Sequence, residues 1–340
     1  MKIKLYVRAF CFAGTLLIAM GAAAAQTATS FNLLTINDLH LDPNKTTAMA
    51  LDPSSRSSSN DLDRSTLSSL TAEMSQYNDV LNMSQHDDVL LVGDLVGHGV
   101  AQDQRTKDAM TAESQVFSSL PGVFASRALK QMPQWYYQFG NNDSIDANYG
   151  SFLSQKKASN PWAIAASTPS IGQYWYHGVF SPRGVAYCQA DHPVAPCLMQ
   201  SKLSEQGEAY GLSLAYIKQG LFLINFNDVP LSAKATSEAA VNAPSVISWL
   251  KAVLAYVVNQ KSQAIVAMHI PFGDNVYDGS LFLKPQYATS LLQVLDNNYS
   301  SIVAVLAAHT HMNEFKVLQH QKKSELLELI SPALSTSHGN

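Results

Sequence analysis

Five short clusters of acidic, amide and imidazole side chains each stand directly after an apolar run. Asp38-Leu39-His40 follows Phe31 to Ile36, and Asp94, with His98 four residues on, follows Val89 to Val92. Asn141, Asn142 and Asp143 follow Trp135 to Phe139; His269 follows Ala264 to Met268; His309-Thr310-His311 follows Ile302 to Ala307. Carboxylates and imidazoles suit first-row divalent metals, and one carboxylate can bridge two ions about 3.5 to 4 Å apart in a hydrolytic two-metal site. In an extended segment residues two apart share a side, so Asp38 with His40, and His309 with His311, would face one site together. Each piece alone says little: a Gly-Asn-Asn-Asp run is first of all a turn, and a lone histidine more often packs beneath a loop. All five in this order, each at the end of an apolar run, point to metal chemistry.

Those runs must be the elements that carry the clusters. Together with Leu221 to Phe226, Phe315 to Leu318 and Leu326 to Ile330 they read as strands buried on both faces, the last two as a terminal hairpin. Between them the three- and four-residue spacing of apolar positions predicts helices over Leu67 to Met83 and Val246 to Val258, with Pro244 in the first turn of the second. A further helix is expected from Gln286 to Leu295, opened by Pro285. Alternating strands and helices make an α/β protein, in which ligands gather outside the carboxyl ends of parallel strands. The Ser-rich stretch from Asn44 to Ser65 and the Gly-, Pro- and aromatic-rich stretch from Asn160 to Gly211 read as long loops or insertions. Nothing marks a domain boundary, so residues 26–340 are read as one domain with an insertion around 160–211.

Residues 1–25 are read apart from the fold. Lys2, Lys4 and Arg8 precede an apolar stretch, Ala9 to Ala22, that ends in Ala22-Ala23-Ala24-Ala25, the pattern of a signal peptide cleaved after Ala25. At 14 residues, interrupted by Gly14 and Gly21, the stretch is shorter than the roughly 18 a membrane span wants. Removing three cations takes the formal charge from −4 to −7, and no second stretch is expected to span a membrane. The expected protein is exported, periplasmic or secreted, without a transmembrane anchor. Of three cysteines only Cys188 and Cys197 then remain, and an oxidising compartment favours their disulfide over a zinc site, for which the spacing offers no pattern. With 46% hydrophobic and 14% charged residues the chain is globular in composition, and without a basic block no nucleic-acid partner is expected.

The ordered set Asp38-Leu39-His40, Gly93-Asp94, Gly140-Asn141-Asn142-Asp143, His269 and Ala308-His309-Thr310-His311 resembles the calcineurin-like metallophosphoesterase superfamily. Asp42-Pro43, His98, His269-Ile270-Pro271-Phe272-Gly273 and Glu314-Phe315 are similar to its acid sphingomyelinase-like phosphodiesterase branch. The resemblance implies a four-layer α/β/β/α sandwich of two mixed sheets with two divalent metal ions, Zn, Mn or Fe, at its rim. It makes Asp38, His40 and His311 ligands of one ion, Asn141, His269 and His309 ligands of the other, and Asp94 their bridge. The implied reaction is in-line attack of activated water on phosphorus without a phosphoenzyme.

This sequence departs from the pattern twice. Ala308 replaces a glycine, which matters only if that backbone needs positive φ. Asn142 stands where the superfamily has a histidine that contacts the substrate phosphate; an amide can donate a hydrogen bond there but cannot supply a proton. His98 is then the natural general acid, and Asp143 is expected to orient the site. Trp135, Tyr136 and Tyr137 are expected in the core, whereas Tyr174 to Tyr176 are the better candidates for lining a pocket.

The leading expectation is an exported dimetal phosphoric ester hydrolase. Diesters or pyrophosphate links fit better than simple monoesters, and the partner is a small phosphorylated molecule such as a phosphodiester, a nucleotide or a phospholipid head group. Endopolyphosphatase-like and nucleotidase-like activities stand beside it, the latter through Ile36-Asn37-Asp38-Leu39-His40. From another class, a non-catalytic binding protein that kept the fold would account for Asn142.

Overall fold

The computed structural model describes residues 2–10, 13–21, 30–41, 88–97, 134–144, 148–153, 170–180, 185–189, 197–319 and 325–333. The expected helix at Leu67 to Met83, the Ser-rich stretch from Asn44 to Ser65, and His98 lie outside the described residues. Two mixed sheets form the centre. The first has the order β1 (Lys2–Phe10), β2 (Ala13–Gly21), β3 (Ser30–Ile36), β4 (Asp88–Val92) and β5 (Gln134–Gln138), parallel from β3 to β5. β1 and β2, the segment read as a signal, form an antiparallel pair whose second strand continues antiparallel onto β3.

The second sheet runs β10 (Glu314–Gln319), β11 (Glu325–Ile330), β9 (Ile302–Ala307), β8 (Gln263–Ala267), β7 (Leu221–Asn225) and β6 (Ser213–Lys218). Its middle strands β11, β9, β8 and β7 are parallel neighbours, while β10 pairs with β11 and β6 with β7 antiparallel. Every apolar run read as a strand is one, and β1, β2 and β6 are additions. β10 is not buried on both faces as expected, because it is an edge strand on which Phe315 and Val317 are exposed. β10 and β11 form the expected hairpin.

Strand alternation separates two cores. Leu221, Leu223, Ile265, Ala267 and Leu306 point toward the first sheet and pack with Leu33, Leu90, Val92 and Tyr136. Their neighbours Phe222, Ile224, Ala264, Val266 and Val305 point the other way, against α2 (Ala243–Asn259) and α3 (Pro285–Asn297). Pro244 sits in the first turn of α2, where its missing N–H costs nothing, and Val246, Trp249, Leu250, Val253, Leu254 and Val257 bury one stripe of that helix. Each such side chain contributes about 1.5 to 3 kcal/mol by leaving water. The helical stretch Ser237–Asn259 is long and apolar enough to cross a membrane by length and composition, contrary to the expectation that none follows the signal. Its apolar stripe is the layer over the second sheet.

The outer face of the first sheet is covered at β5. A helical turn, Ile171–Gln173, continues as a π-helical stretch, Tyr174–Phe180, within the region read as a loop, and α1 (Ser201–Ala209) closes the same region. Trp175, Tyr176 and Phe180 are fully buried. The Trp175 ring stacks on Tyr137 at 6.3 Å and meets Phe139 edge-on at 5.9 Å. Trp175 and Tyr176 are therefore core residues and do not line a pocket; an aromatic strand face needed aromatic cover. Trp135, Tyr136 and Tyr137 are buried in β5 as expected. Cys188 and Cys197 are joined by a disulfide, with Cα atoms 5.2 Å apart. It fastens this region beside β6, where the Cys188 N–H donates to the Leu214 carbonyl.

Candidate metal centre

The carboxyl ends of β3, β4 and β5 from one sheet and of β7, β8 and β9 from the other meet at one rim. Backbone pairing continues past the strands: the N–H groups of Asp38 and His40 donate to the carbonyls of Gly93 and Asp94, at 3.1 and 2.9 Å. The loop after β3 thus lies against the loop after β4. Across the sheets, the Nδ1–H of His269 donates to the Val92 carbonyl at 2.8 Å, and the His309 N–H to the Asp38 carboxylate at 3.2 Å. A carbonyl only accepts, so it holds the proton on Nδ1 of His269 and aims Nε2 into the rim.

The result is two triads of ligand atoms, Asp38, His40 and His311 in one, Asp94, His269 and His309 in the other. Within the first, His311 Nε2 lies 3.4 Å from Asp38 Oδ1 and 3.1 Å from His40 Nε2. In the second, His269 Nε2 lies 3.3 Å from Asp94 Oδ2. The two triads touch through their acids: Asp94 Oδ2 is also 3.9 Å from His40 of the first, and Asp38 Oδ1 is 3.8 Å from His269 of the second. Asp38, His40, Asp94 and His269 are buried.

The alternation argued for Asp38-Leu39-His40 and His309-Thr310-His311 is not how these residues converge. Asp38, His40, Asp94, His309 and His311 all have positive φ, between 43° and 69°. The chain bends at each of them instead of running extended. Asp and His are among the residue types that tolerate this region, at a cost of about 1 to 3 kcal/mol each. Ala308 is not among the positive-φ residues, and its methyl belongs to the core between the sheets.

Two glycines are required by close approach. A Cβ at Gly140 would strike the Asp94 carboxylate, and one at Gly93, where φ is +82°, would meet the Gly140 backbone and the His269 ring. Gly140 leads into Asn141, whose amide donates to Asn148 Oδ1 at 2.8 Å. Among the described residues this leaves Asn141 Oδ1 buried without a hydrogen-bond partner, as are Asp38 Oδ1 and His269 Nε2 beyond the acid–imidazole approaches given above. Buried polar atoms without partners are rare, and here they share one rim with two acid–imidazole triads. That donor set fits two divalent cations.

The other residues of the Gly-Asn-Asn-Asp turn serve Asp94. Asn142 donates twice to it, from its backbone N–H at 2.8 Å and its side-chain amide at 2.9 Å. Asp143 accepts from the N–H groups of Asp94, Leu95 and Gly140, at 3.0, 2.9 and 2.7 Å, and from the Tyr137 hydroxyl at 2.9 Å.

Electrostatics follow from the crowding. Burial would raise Asp38 and Asp94, but the surrounding histidines outweigh it, His311 and His269 at Asp38, His269 and His40 at Asp94, and both lie well below the ordinary carboxylate range. Burial would lower His269, yet Asp94 and Asp38 raise it to about 10. His309, desolvated and facing His269, falls to about 3. Asp143 is raised to about 6 by burial and then by the charge of Asp94.

Three residues at the rim carried no sequence signal. Asp228, after β7, accepts the N–H groups of His269 and Ile270 at 3.2 and 3.0 Å. Glu328 on β11 accepts that of Phe272 at 3.1 Å. The Tyr149 hydroxyl lies 3.4 Å from His309 Nε2.

No family model matches the chain, and no curated protein matches it. Among solved structures it is similar to a dimetal phosphatase from Danio rerio, with a TM-score of 0.51 at 10% identity over 89% of this chain and 88% of the other. A Staphylococcus aureus protein assigned as a 5′-nucleotidase aligns with a TM-score of 0.45 at 12% identity, over 89% of this chain and 49% of that one. GAP50, the anchor in the inner membrane complex of Plasmodium, aligns with a TM-score of 0.40 at 11% identity, over 90% and 72%. The likeness to the Danio rerio structure is one of fold alone, an α/β architecture with two central sheets.

Proposed function

We propose that this chain is an exported, dimetal-dependent phosphoric ester hydrolase that acts on phosphodiesters. The observation that carries the reading is the pair of triads sharing one rim, with an acid of each within 4 Å of a histidine of the other. That the neighbour from Danio rerio is a dimetal phosphatase supports the metal-dependent phosphoester hydrolase within that reading. Asp38, His40 and His311 would hold one divalent ion, Asn141, His269 and His309 the other, and Asp94 would bridge them. Such ions, when bound, lower the pKa of water and neutralise charge on phosphoryl oxygens.

The chain's own residues prepare that chemistry. Asn142 locks both oxygens of Asp94 from outside, and Asp143 fixes the backbone on which Asp94 sits. With its amide on Asp94, and with no proton to give, Asn142 does not act as a general acid; His98 takes that role in this reading. The substrate in this reading is a small phosphorylated molecule: a phosphodiester, a nucleotide or a phospholipid head group.

Metal analysis of the purified protein, with hydrolysis of bis(4-nitrophenyl) phosphate against 4-nitrophenyl phosphate, tests the proposal. Two ions per chain and faster diester turnover are expected. Faster monoester turnover would place the activity with phosphatases, and bound metal without turnover would mark a binding protein. Absence of metal would overturn the reading. Export is tested by expression with the full N-terminus, which should yield a chain beginning at Gln26.

A further inference from the structure

The segment His269-Ile270-Pro271-Phe272-Gly273 is held from below by buried acids. Asp228 takes the N–H groups of His269 and Ile270, Pro271 has none, and Glu328 takes that of Phe272. Lys316 completes the grip by donating to the Phe272 carbonyl at 2.6 Å. Lys316 and Glu328 stand directly opposite each other in the β10–β11 register, so one cross-strand pair holds both polar groups of one residue's backbone.

A second route leaves the same pair. Lys316 Nζ lies 5.6 Å from the centre of the Phe282 ring, and the Phe282 N–H donates to the Gly273 carbonyl at 3.1 Å. Phe282 in turn meets the His309 ring edge-on at 5.8 Å. Both routes end on histidines of the same triad, His269 and His309.

Stability alone gives little reason for such a pair. Glu328 is fully buried, and its Oε2 has no hydrogen-bond partner among the described residues. Lys316 is only partly buried and lies 4.0 Å from Glu314, so Glu328 is the buried member, and burying a half-satisfied carboxyl is commonly no better than filling the space with apolar side chains. Groups that orient metal ligands, by contrast, typically govern metal affinity 10- to 100-fold.

We infer that Lys316 and Glu328 are positioning residues for one ion of the two, setting the affinity of the Asp94–His269–His309 triad through Phe272 and Phe282 without touching the metal. The inference rests on the two-ion reading above. It separates the two sites: loosening the pair weakens one ion and leaves the ion at Asp38, His40 and His311 in place.

The test is calorimetric titration of Mn2+ into the chelator-stripped full chain. His309→Ala and His40→Ala identify which binding step belongs to which triad. Glu328→Ala should weaken the step that His309→Ala removes by about 10-fold or more and preserve the step that His40→Ala removes. Glu328→Gln, whose amide oxygen still accepts from Phe272, should restore it. If Glu328→Ala does not fold, Lys316→Met, which removes the grip on the carbonyl, should show the same selective loss. Unchanged affinities, or equal weakening of both steps, would overturn the inference while leaving the two-ion reading intact. A wild-type chain that binds fewer than two ions would overturn that reading, and the inference with it.

Discussion

The carboxylate of Asp143 accepts the backbone N–H of Asp94 at 3.0 Å, although the two acids follow different strands. Asp143 also takes the N–H groups of Leu95 and Gly140 and the hydroxyl of Tyr137. Replacing it leaves several buried donors without an acceptor, each worth about 1 to 3 kcal/mol. Asp143→Ala should therefore destabilise the metal-free protein by roughly 3 kcal/mol or more in chemical denaturation. Loss of metal affinity should accompany it; a variant as stable as the parent would show that Asp143 does not hold this turn.

Asp94 is nearer than Asp38 to Nε2 of His269 and is also within reach of His40. Asp94→Asn keeps the shape but removes the charge that faces both triads. Metal content and turnover should fall together, and full retention of both would end the bridging assignment.

Burial pushes Glu328 up to about 8, against an ordinary value of 4.5; Lys316 opposes the shift, while Asp228 and Glu314 add to it. A carboxyl raised in this way binds its proton more tightly in the folded chain. Its stabilising contribution is complete below about pH 4.5 and is lost as pH rises to about 8. Within that window Glu328→Gln, which cannot ionise, should gain stability relative to the parent by up to about 1.4 kcal/mol per pH unit. Parallel stability curves for the two proteins would show that the carboxyl is not held neutral.

A general acid matters most when the leaving group is a poor one. His98→Ala should cost on the order of 10² in turnover of an alkyl phosphodiester and much less with nitrophenyl esters. Equal losses on both would assign His98 to phosphate binding or to support of the metal site.

The strands were legible because Val89 to Val92 or Ala264 to Met268 are continuous apolar runs, which is what burial on both faces requires. β6 was not, since an edge strand such as Ser213–Lys218 is buried along only part of its length and needs no such run. The residues of the two triads were legible because a metal site selects side-chain types at strand ends. Asp228 and Glu328 act on backbone N–H groups, which every non-proline residue carries, so no spacing reveals them. The aromatics at 174–176 misled for a related reason: Trp175 and Tyr176 look the same in sequence whether they face solvent or cover Tyr137 and Phe139.

The left-handed backbone at Asp38, His40, Asp94, His309 and His311 has a consequence for engineering. Each of these positions is one where glycine would relieve conformational strain, and each also adds to a crowded cluster of polar groups. A laboratory selection for heat resistance alone, carried out without metal, should discard these residues early. Thermostable variants obtained that way should be hardened shells with an inert rim. Selection under metal limitation, with turnover required, is the regime that would keep the five in place and push stabilising changes into α2, α3 and the surface.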